Sequence, residues 1–113
     1  MSDTQGKLRA ALAVTPDAPV LALFDAQGKR RTALTVLATG PALDFFNAQE
    51  KILASFLLSN QGPSLTLEDT EGFESVLGVA DTETTITGES QRTSAASLTF
   101  FGKDKKVIWS APR

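Results

Sequence analysis

The chain has 113 residues, of which 42% are hydrophobic and 21% charged, and its formal net charge is −2. These values fit one globular domain, and the small net charge excludes the basic surface that nucleic-acid binding requires. The chain has neither cysteine nor histidine, which excludes disulfides, thiolate nucleophiles, imidazole bases and the common zinc sites. No apolar run is long enough to span a bilayer, so we predict no direct membrane insertion by this chain.

A period of 22 residues runs through most of the chain. Pro19, Pro41 and Pro63 are spaced by this interval, and each of them opens a similar phrase. The phrases read Pro-Val-Leu-Ala-Leu-Phe-Asp, Pro-Ala-Leu-Asp-Phe-Phe-Asn and Pro-Ser-Leu-Thr-Leu-Glu-Asp. A fixed period of this size predicts stacked copies of one supersecondary unit.

Each copy contains two short runs suited to strands, with a turn between them. The turn reads Asp25-Ala-Gln-Gly28-Lys29 in one copy, and Glu50 replaces the turn glycine in the next. Asp at the start of such a turn caps backbone N–H groups, and Gly near its end accepts a positive φ. The pattern therefore predicts β-hairpins. We predict strands at 8–14, 19–25, 29–37, 41–47, 50–58, 63–69, 73–79, 97–101 and 105–110.

Two segments need separate treatment. A helix is the alternative for Ala48–Leu58, where Ala, Gln, Glu and Lys are concentrated, but the register there matches the neighbouring copies and favours a strand. Residues 80–96 break the repeat with a polar, Thr- and Ser-rich stretch. We predict a single β-repeat domain over 1–113 in which 80–96 is an insert, acting as a flexible tether or a strap along the sheet. The chain begins at a turn inside a repeat, which predicts either a half unit or the removal of upstream sequence.

Strand alternation separates the side chains into two faces. One face forms an apolar column, which we predict to be the core, because full burial of each Leu or Phe contributes about 1.5–3 kcal/mol. The members of this column are Leu12/Val14, Leu21/Leu23, Leu34/Val36, Leu43/Phe45, Phe56/Leu58, Leu65/Leu67, Leu77/Val79, Leu98/Phe100 and Val107/Trp109.

The opposite face carries an aromatic residue at one position of the repeat. Phe24, Phe46 and Phe101 share this position, and Leu53 and Leu57 join them. One interpretation is a partner-binding or self-association stripe, because contiguous exposed aromatic side chains mark interfaces. The other interpretation is scattered surface residues, or strand ends covered by a neighbouring loop. The rest of this face is predicted to suit solvent: Ala22, Asp44, Thr66 and Thr99.

The order of hairpins predicts an all-β fold, an antiparallel meander. A sheet with one apolar face has to cover that face, so we expect the meander to curl into a barrel or half-barrel. The alternative is a β-solenoid, in which each 22-residue copy is one coil and equivalent strands stack in parallel. The strict period favours the solenoid, whereas the Asp-x-x-Gly turns favour the meander.

The phrases Gly62-Pro-Ser-Leu-Thr-Leu and Gly28-Lys-Arg-Arg-Thr-Ala-Leu resemble a group of bacterial proteins of unknown function. That group has tandem GPSL-x-L-x-D-x-x-GK-x-R units and a GKVIWSAP-like C-terminal segment, similar to Val107-Ile-Trp-Ser-Ala-Pro112 here. The chain departs from the pattern at Glu50, where the turn glycine is lost, and at Gly102, where the turn is rearranged. The resemblance implies no activity and no catalytic residues.

The resemblance also bears on location. Proteins of this group often carry a membrane-spanning segment ahead of the repeats. An extracytoplasmic, membrane-anchored location is implied if such a segment is missing here, and a cytoplasmic location otherwise.

No combination of residues indicates catalysis. Asp25 and Asp69 start turns, where backbone capping accounts for them, and no histidine is present to activate a Ser or Thr. We therefore expect a non-enzyme without cofactor or metal. The first hypothesis is a non-enzymatic repeat module that acts as a scaffold or protein-binding accessory subunit in a bacterial assembly, through a protein partner or self-association. The alternative is a carrier of a small apolar ligand held inside the barrel.

Overall fold

The computed structural model describes residues 1–83, 90–92 and 94–112, with the backbone alone for 81–83 and 90–92. The described residues form eleven β-strands. The strands are β1 (Ala10–Val14), β2 (Pro19–Phe24), β3 (Arg30–Leu37), β4 (Gly40–Phe46), β5 (Ile52–Ser59), β6 (Gly62–Glu68), β7 (Glu74–Gly78), β8 (Asp81–Glu83), β9 (Ser90–Arg92), β10 (Leu98–Phe101) and β11 (Val107–Ala111).

Nine of these strands form one sheet in the order β1-β2-β3-β4-β5-β6-β7-β10-β11, and β8 pairs with β9 in a separate hairpin. Every neighbouring pair in the large sheet is antiparallel. The predicted antiparallel meander is therefore confirmed, as is the strand, rather than a helix, at β5.

The nine-stranded sheet is open. Its edge strands are β1 and β11, which do not pair with each other, so the described strands are not closed into a barrel. The parallel stacking that the solenoid alternative requires is also not found among the strands that the structure describes. The insert predicted at 80–96 begins as the β8–β9 hairpin, and its residues 84–89 and 93 lie outside the described part.

Five turns share one backbone geometry. In the turn 25–29, the Asp25 N–H donates to the carbonyl oxygen of Lys29 at 2.9 Å, and the Gly28 N–H donates to that of Asp25 at 3.0 Å. A carboxylate oxygen of Asp25 also accepts the N–H groups of Gln27 and Lys29, at 2.9 and 3.0 Å. The same pair of backbone bonds recurs at 3–7, 47–51, 69–73 and 102–106, so the turn at Gly102 keeps the geometry although its sequence is rearranged.

The fourth residue of each turn has a positive φ. Glycine supplies it in three turns, because it has no Cβ to clash in this region. Two L-residues adopt the same conformation in the other turns, Glu50 with φ 61° and Lys105 with φ 66°. The turn therefore keeps the same backbone geometry even where another residue replaces the favoured glycine.

The connections between successive hairpins are shorter, except where the insert at 80–96 joins β7 to β10. Ala38 and Thr39 alone join β3 to β4, and Gly40 opens β4 with φ 138°. A Cβ placed on Gly40 would collide with the carbonyl oxygen of Leu58 on β5. Glycine is required here because two backbones approach each other closely.

A β-bulge lies beside the turn in three hairpins, namely β2–β3, β4–β5 and β10–β11. The β6–β7 hairpin has no bulge, and it is also one residue shorter: Leu77 follows Asp69 by eight positions, whereas Phe56 follows Asn47 by nine. A one-residue change would turn every later side chain to the other face. Omission of the bulge cancels the deletion and keeps Leu77 on the same face as Phe56.

The strand register places an apolar row across all nine strands of the sheet. We call the side that carries this row the leucine face, and the opposite side the small-residue face. The apolar row is Leu12, Leu21, Leu34, Leu43, Phe56, Leu65, Leu77, Leu98 and Ala111. The central row of the small-residue face is Ala11, Ala22, Ala33, Asp44, Ser55, Thr66, Val76, Thr99 and Ser110.

The leucine face is the column that was predicted to be the core, and that prediction of burial is wrong. Phe56 and Leu77 are 51% and 52% exposed, whereas Thr99 on the small-residue face is 0% exposed. Among the described residues the β8–β9 hairpin is not hydrogen-bonded to the large sheet, and Ala95 lines a depression of the leucine face together with Phe56 and Leu77. On the small-residue face Ala22 is also buried, instead of facing solvent as predicted.

The shape of the molecule follows from this single layer. Its dimensions are 56 × 28 × 22 Å and its radius of gyration is 16.7 Å, compared with about 13 Å for a compact domain of this length. Domains ordinarily contain at least two packed layers around one core. The described residues supply one long layer, and the β8–β9 hairpin forms a separate small sheet.

Candidate functional site

The leucine face presents large apolar side chains to solvent, among them Leu34, Phe56 and Leu77. Beside its apolar row runs a second row of the same face: Leu23, Thr32, Phe45, Ala54, Leu67, Ser75, Phe100 and Trp109. Neither row contains a charged residue. Large contiguous apolar surfaces are rare on monomers and mark interaction sites.

Two leucines of β3 show that exposure alone does not distinguish the faces. Leu34 on the leucine face is 45% exposed, and Leu37 on the small-residue face is 44% exposed. Leu34 has an apolar neighbour on each adjacent strand, Leu21 and Leu43. Leu37 instead pairs with Gly40 at the end of the hairpin. The leucine face is therefore distinguished by continuity across the strands.

An aromatic pair lies at one end of the leucine face. The rings of Phe100 and Trp109 stack with their centroids 5.0 Å apart and their planes at 29°. Trp109 is nevertheless 39% exposed. Rigid aromatic side chains of this kind are enriched among the residues that dominate binding energy at interfaces.

The small-residue face contains the predicted partner-binding residues. Phe46 and Phe101 are buried, while Phe24, Leu53 and Leu57 are half-buried. The structure brings Leu53 and Phe101 together in one shallow depression, whereas Phe24 lines another, beside Lys7 and Leu8. The premise of a contiguous exposed aromatic stripe is therefore wrong, and partner binding by these residues stays a prediction.

The burial of Phe46 has specific causes. The guanidinium carbon of Arg30 lies 4.4 Å from the centroid of the Phe46 ring, in a cation–π arrangement. The Arg31 Nε donates to the carbonyl oxygen of Phe46 at 2.9 Å, and its Nη1 lies 3.4 Å from Asp25 Oδ2. Arg30 and Arg31 thus both contact this end of β4.

Charged groups are concentrated near the turns. Lys105 Nζ donates to the carbonyl oxygen of Gly72 at 2.9 Å and lies 3.2 Å from Glu68 Oε1 and 3.4 Å from Glu74 Oε2. This network joins the β6–β7 hairpin to the last turn. The Lys105 side chain is about half exposed, and the two carboxylate side chains are less exposed. Because the network is accessible to solvent, it contributes only modestly to stability.

Two kinds of carboxylate environment occur. The pKa of Asp25 is lowered, chiefly by the backbone N–H of Lys29, and the pKa of Asp3 is lowered in the same way by that of Lys7. Burial on the small-residue face raises the pKa of Asp44, although the charge of Arg30 opposes the shift. These groups are separate features of turns and strands, and they do not form a pair for acid–base catalysis.

Within 1–83, 90–92 and 94–112, no group of three or more carboxylates is placed to hold a metal ion. A search of the same residues found no helix of the length and hydropathy that would cross a membrane.

The leucine face was missed as a site because its alternation is also the ordinary signature of a core. The available signal was that the repeat supplies one set of strands with a single apolar face, and that the insert at 80–96 is polar.

Comparison of the chain with protein-family models, with curated proteins and with solved structures found no match.

Proposed function

We propose that this chain is a non-enzymatic scaffold or protein-binding module whose leucine face is covered by a protein partner. The observation that carries the proposal is the continuous, charge-free apolar surface over nine strands, with Phe56 and Leu77 half exposed. Burying a Leu or Phe side chain fully is worth about 1.5–3 kcal/mol. Completing the burial of a row of such side chains therefore supplies a strong driving force for association.

The ligand-carrier alternative is not favoured by any observation. It depends on a barrel interior, and the described sheet is open. Curling into a half-barrel stays a prediction, and a covering partner meets the same physical requirement. Membership of the group of bacterial repeat proteins also stays a proposal, together with its bacterial assembly and extracytoplasmic location.

The proposal is tested by face-specific capture. The tagged chain, Leu34→Glu and Leu37→Glu are compared for proteins retained from the cells that make this chain naturally. We expect one protein, or an untagged copy of this chain, to be retained by the wild type and Leu37→Glu but not by Leu34→Glu, because only Leu34 lies on the leucine face. Equal retention by all three, or by none, would contradict the proposal.

The same comparison addresses the predicted stripe. Leu37 shares the small-residue face with Phe24, Phe46, Phe101, Leu53 and Leu57, and binding through those residues stays a prediction. Loss of capture in Leu37→Glu alone would favour that face instead.

A further inference from the structure

We propose that the leucine face of one copy packs against the leucine face of a second copy, forming a two-layer sandwich related by a twofold axis. This inference rests on the proposed function and specifies its partner. It follows from three properties of the face: its lack of charge, its area and its regular spacing.

A twofold interface brings a surface against itself, so it must be self-complementary. The two central rows of the leucine face carry no charged side chain, and like charges therefore never meet when two copies face each other. Thr32 and Ser75 are the polar members of these rows. A heterologous partner is usually selected through charge complementarity, and this face offers no charge pattern to read.

The area is sufficient for a stable dimer. Nine strands spaced about 4.8 Å apart and about 20 Å long on average present on the order of 900 Å², which is comparable to the roughly 800 Å² per partner in a standard interface. A single helix, about 10–12 Å in diameter, would cover less than half of the 28 Å width. A second sheet of the same length covers the whole face.

The spacing also fits. Two sheets pack face to face about 10 Å apart, with the side chains of their inner faces interdigitating. A second copy supplies rows with the same interstrand spacing, so rows such as Leu21-Leu34-Leu43 meet equivalent rows. The turn charges of Lys105, Glu68 and Glu74 would remain at the rim of such a dimer, and Asp44 would remain outside it on the small-residue face.

Size-exclusion chromatography with light scattering on the purified chain tests this inference. We expect a mass of about 24 kDa, twice the 12.0 kDa of one chain. Leu34→Glu and Thr32→Lys should halve that mass, whereas Leu37→Glu should leave it unchanged. Thr32→Lys keeps the inference testable if Leu34→Glu fails to fold, because it introduces a charge without removing an apolar side chain.

Three results would overturn the inference: a wild-type monomer at tens of micromolar, a dimer that both leucine-face variants preserve, or a mass above that of a dimer. A preserved dimer would indicate pairing through the β1 or β11 edge. A wild-type monomer that still shows leucine-face-dependent capture of another protein would overturn self-association and leave the proposed function standing.

Discussion

Asn47 forms with its amide oxygen the same two turn hydrogen bonds that Asp25 forms with its carboxylate. The Asn47 Oδ1 accepts the N–H groups of Gln49 and Lys51, each at 3.0 Å, while Asp25 Oδ1 accepts two N–H groups at 2.9 and 3.0 Å. The turn therefore needs an acceptor at this position but does not need its charge.

Asp25→Asn should keep the turn and reduce the acid sensitivity of the fold. The pKa of Asp25 is lowered in the folded chain, chiefly by the Lys29 N–H. Its contribution is therefore complete above the ordinary value of 3.8 and is lost as the pH falls through the lower folded pKa. Urea midpoints at pH 7 and pH 2.5 should differ less for Asp25→Asn than for the wild type. An unchanged difference between the two pH values would contradict this assignment.

Asp44→Asn should have the opposite pH signature. Burial raises the pKa of Asp44, which means that folding disfavours its charged form. Its ionisation therefore costs stability at neutral pH, and the cost disappears as the pH falls through the raised pKa. We expect Asp44→Asn to raise the urea midpoint at pH 7 and to match the wild type near pH 3. A lower midpoint at pH 7 would show that Asp44 is favourably held.

At position 50, glycine should be more stabilising than alanine. Glu50 has φ 61°, a conformation that costs an L-residue roughly 1–2 kcal/mol. Both substitutions remove the Glu50 carboxylate, which accepts the Arg30 N–H at 3.1 Å, so their difference isolates the backbone. Chemical denaturation should show Glu50→Gly more stable than Glu50→Ala by about 1 kcal/mol.

The neighbouring residue provides the control for this comparison. Gln49 lies in the same turn and is not among the residues with positive φ. There the order should reverse, with Gln49→Gly less stable than Gln49→Ala by roughly 0.5–1 kcal/mol. The same order at both positions would show that φ does not decide the difference.

Thr99→Val should stabilise the chain. Thr99 is fully buried, and its Oγ1 has no hydrogen-bond partner among the described residues. A buried unsatisfied hydroxyl costs about 1–3 kcal/mol, and a methyl group of similar shape removes that cost. Thermal unfolding of Thr99→Val should show a higher midpoint than the wild type. Thr66→Val is the control: Thr66 lies on the same row but is half-buried, so its substitution should have a smaller effect.

The repeat register predicted the nine strands of the large sheet, and the turn chemistry favoured their antiparallel order, but the strands β8 and β9 were not predicted. Local chemistry controls both: Asp25 and Gly28 form the turn that pairs β2 with β3, and Gly40 allows the next backbone to approach. Register also overruled helix propensity at β5, because the strand on each side leaves an edge that β5 must pair with. These turn and pairing contacts involve residues that are close together in the sequence, and the repeat contains the same contacts several times.

Burial could not be predicted in the same way. Alternation shows that Leu34 and Leu43 share a face, but it does not show whether a second layer covers them. The alternation of apolar and polar residues along a strand is the same whether the apolar face forms a core or an interface. The absence of a bulge in the β6–β7 hairpin, which offsets its one-residue deletion and keeps the face of Leu77, was also not predicted. The only sign of it in the sequence is that this copy is one residue shorter. Phe46 was misjudged because its burial depends on Arg30, which lies on another strand.

Acrylamide quenching of Trp109 tests most directly whether the leucine face is covered in solution. Trp109 is the sole tryptophan, it lies on that face and it is 39% exposed in a single copy. We expect a blue-shifted, weakly quenched emission for the wild type at tens of micromolar, and a red-shifted emission quenched at least about twofold more strongly in Thr32→Lys, because burial excludes the quencher. If wild-type Trp109 is quenched as readily as in Thr32→Lys and dilution changes neither, the leucine face is not covered by a second copy and the proposed dimer does not form.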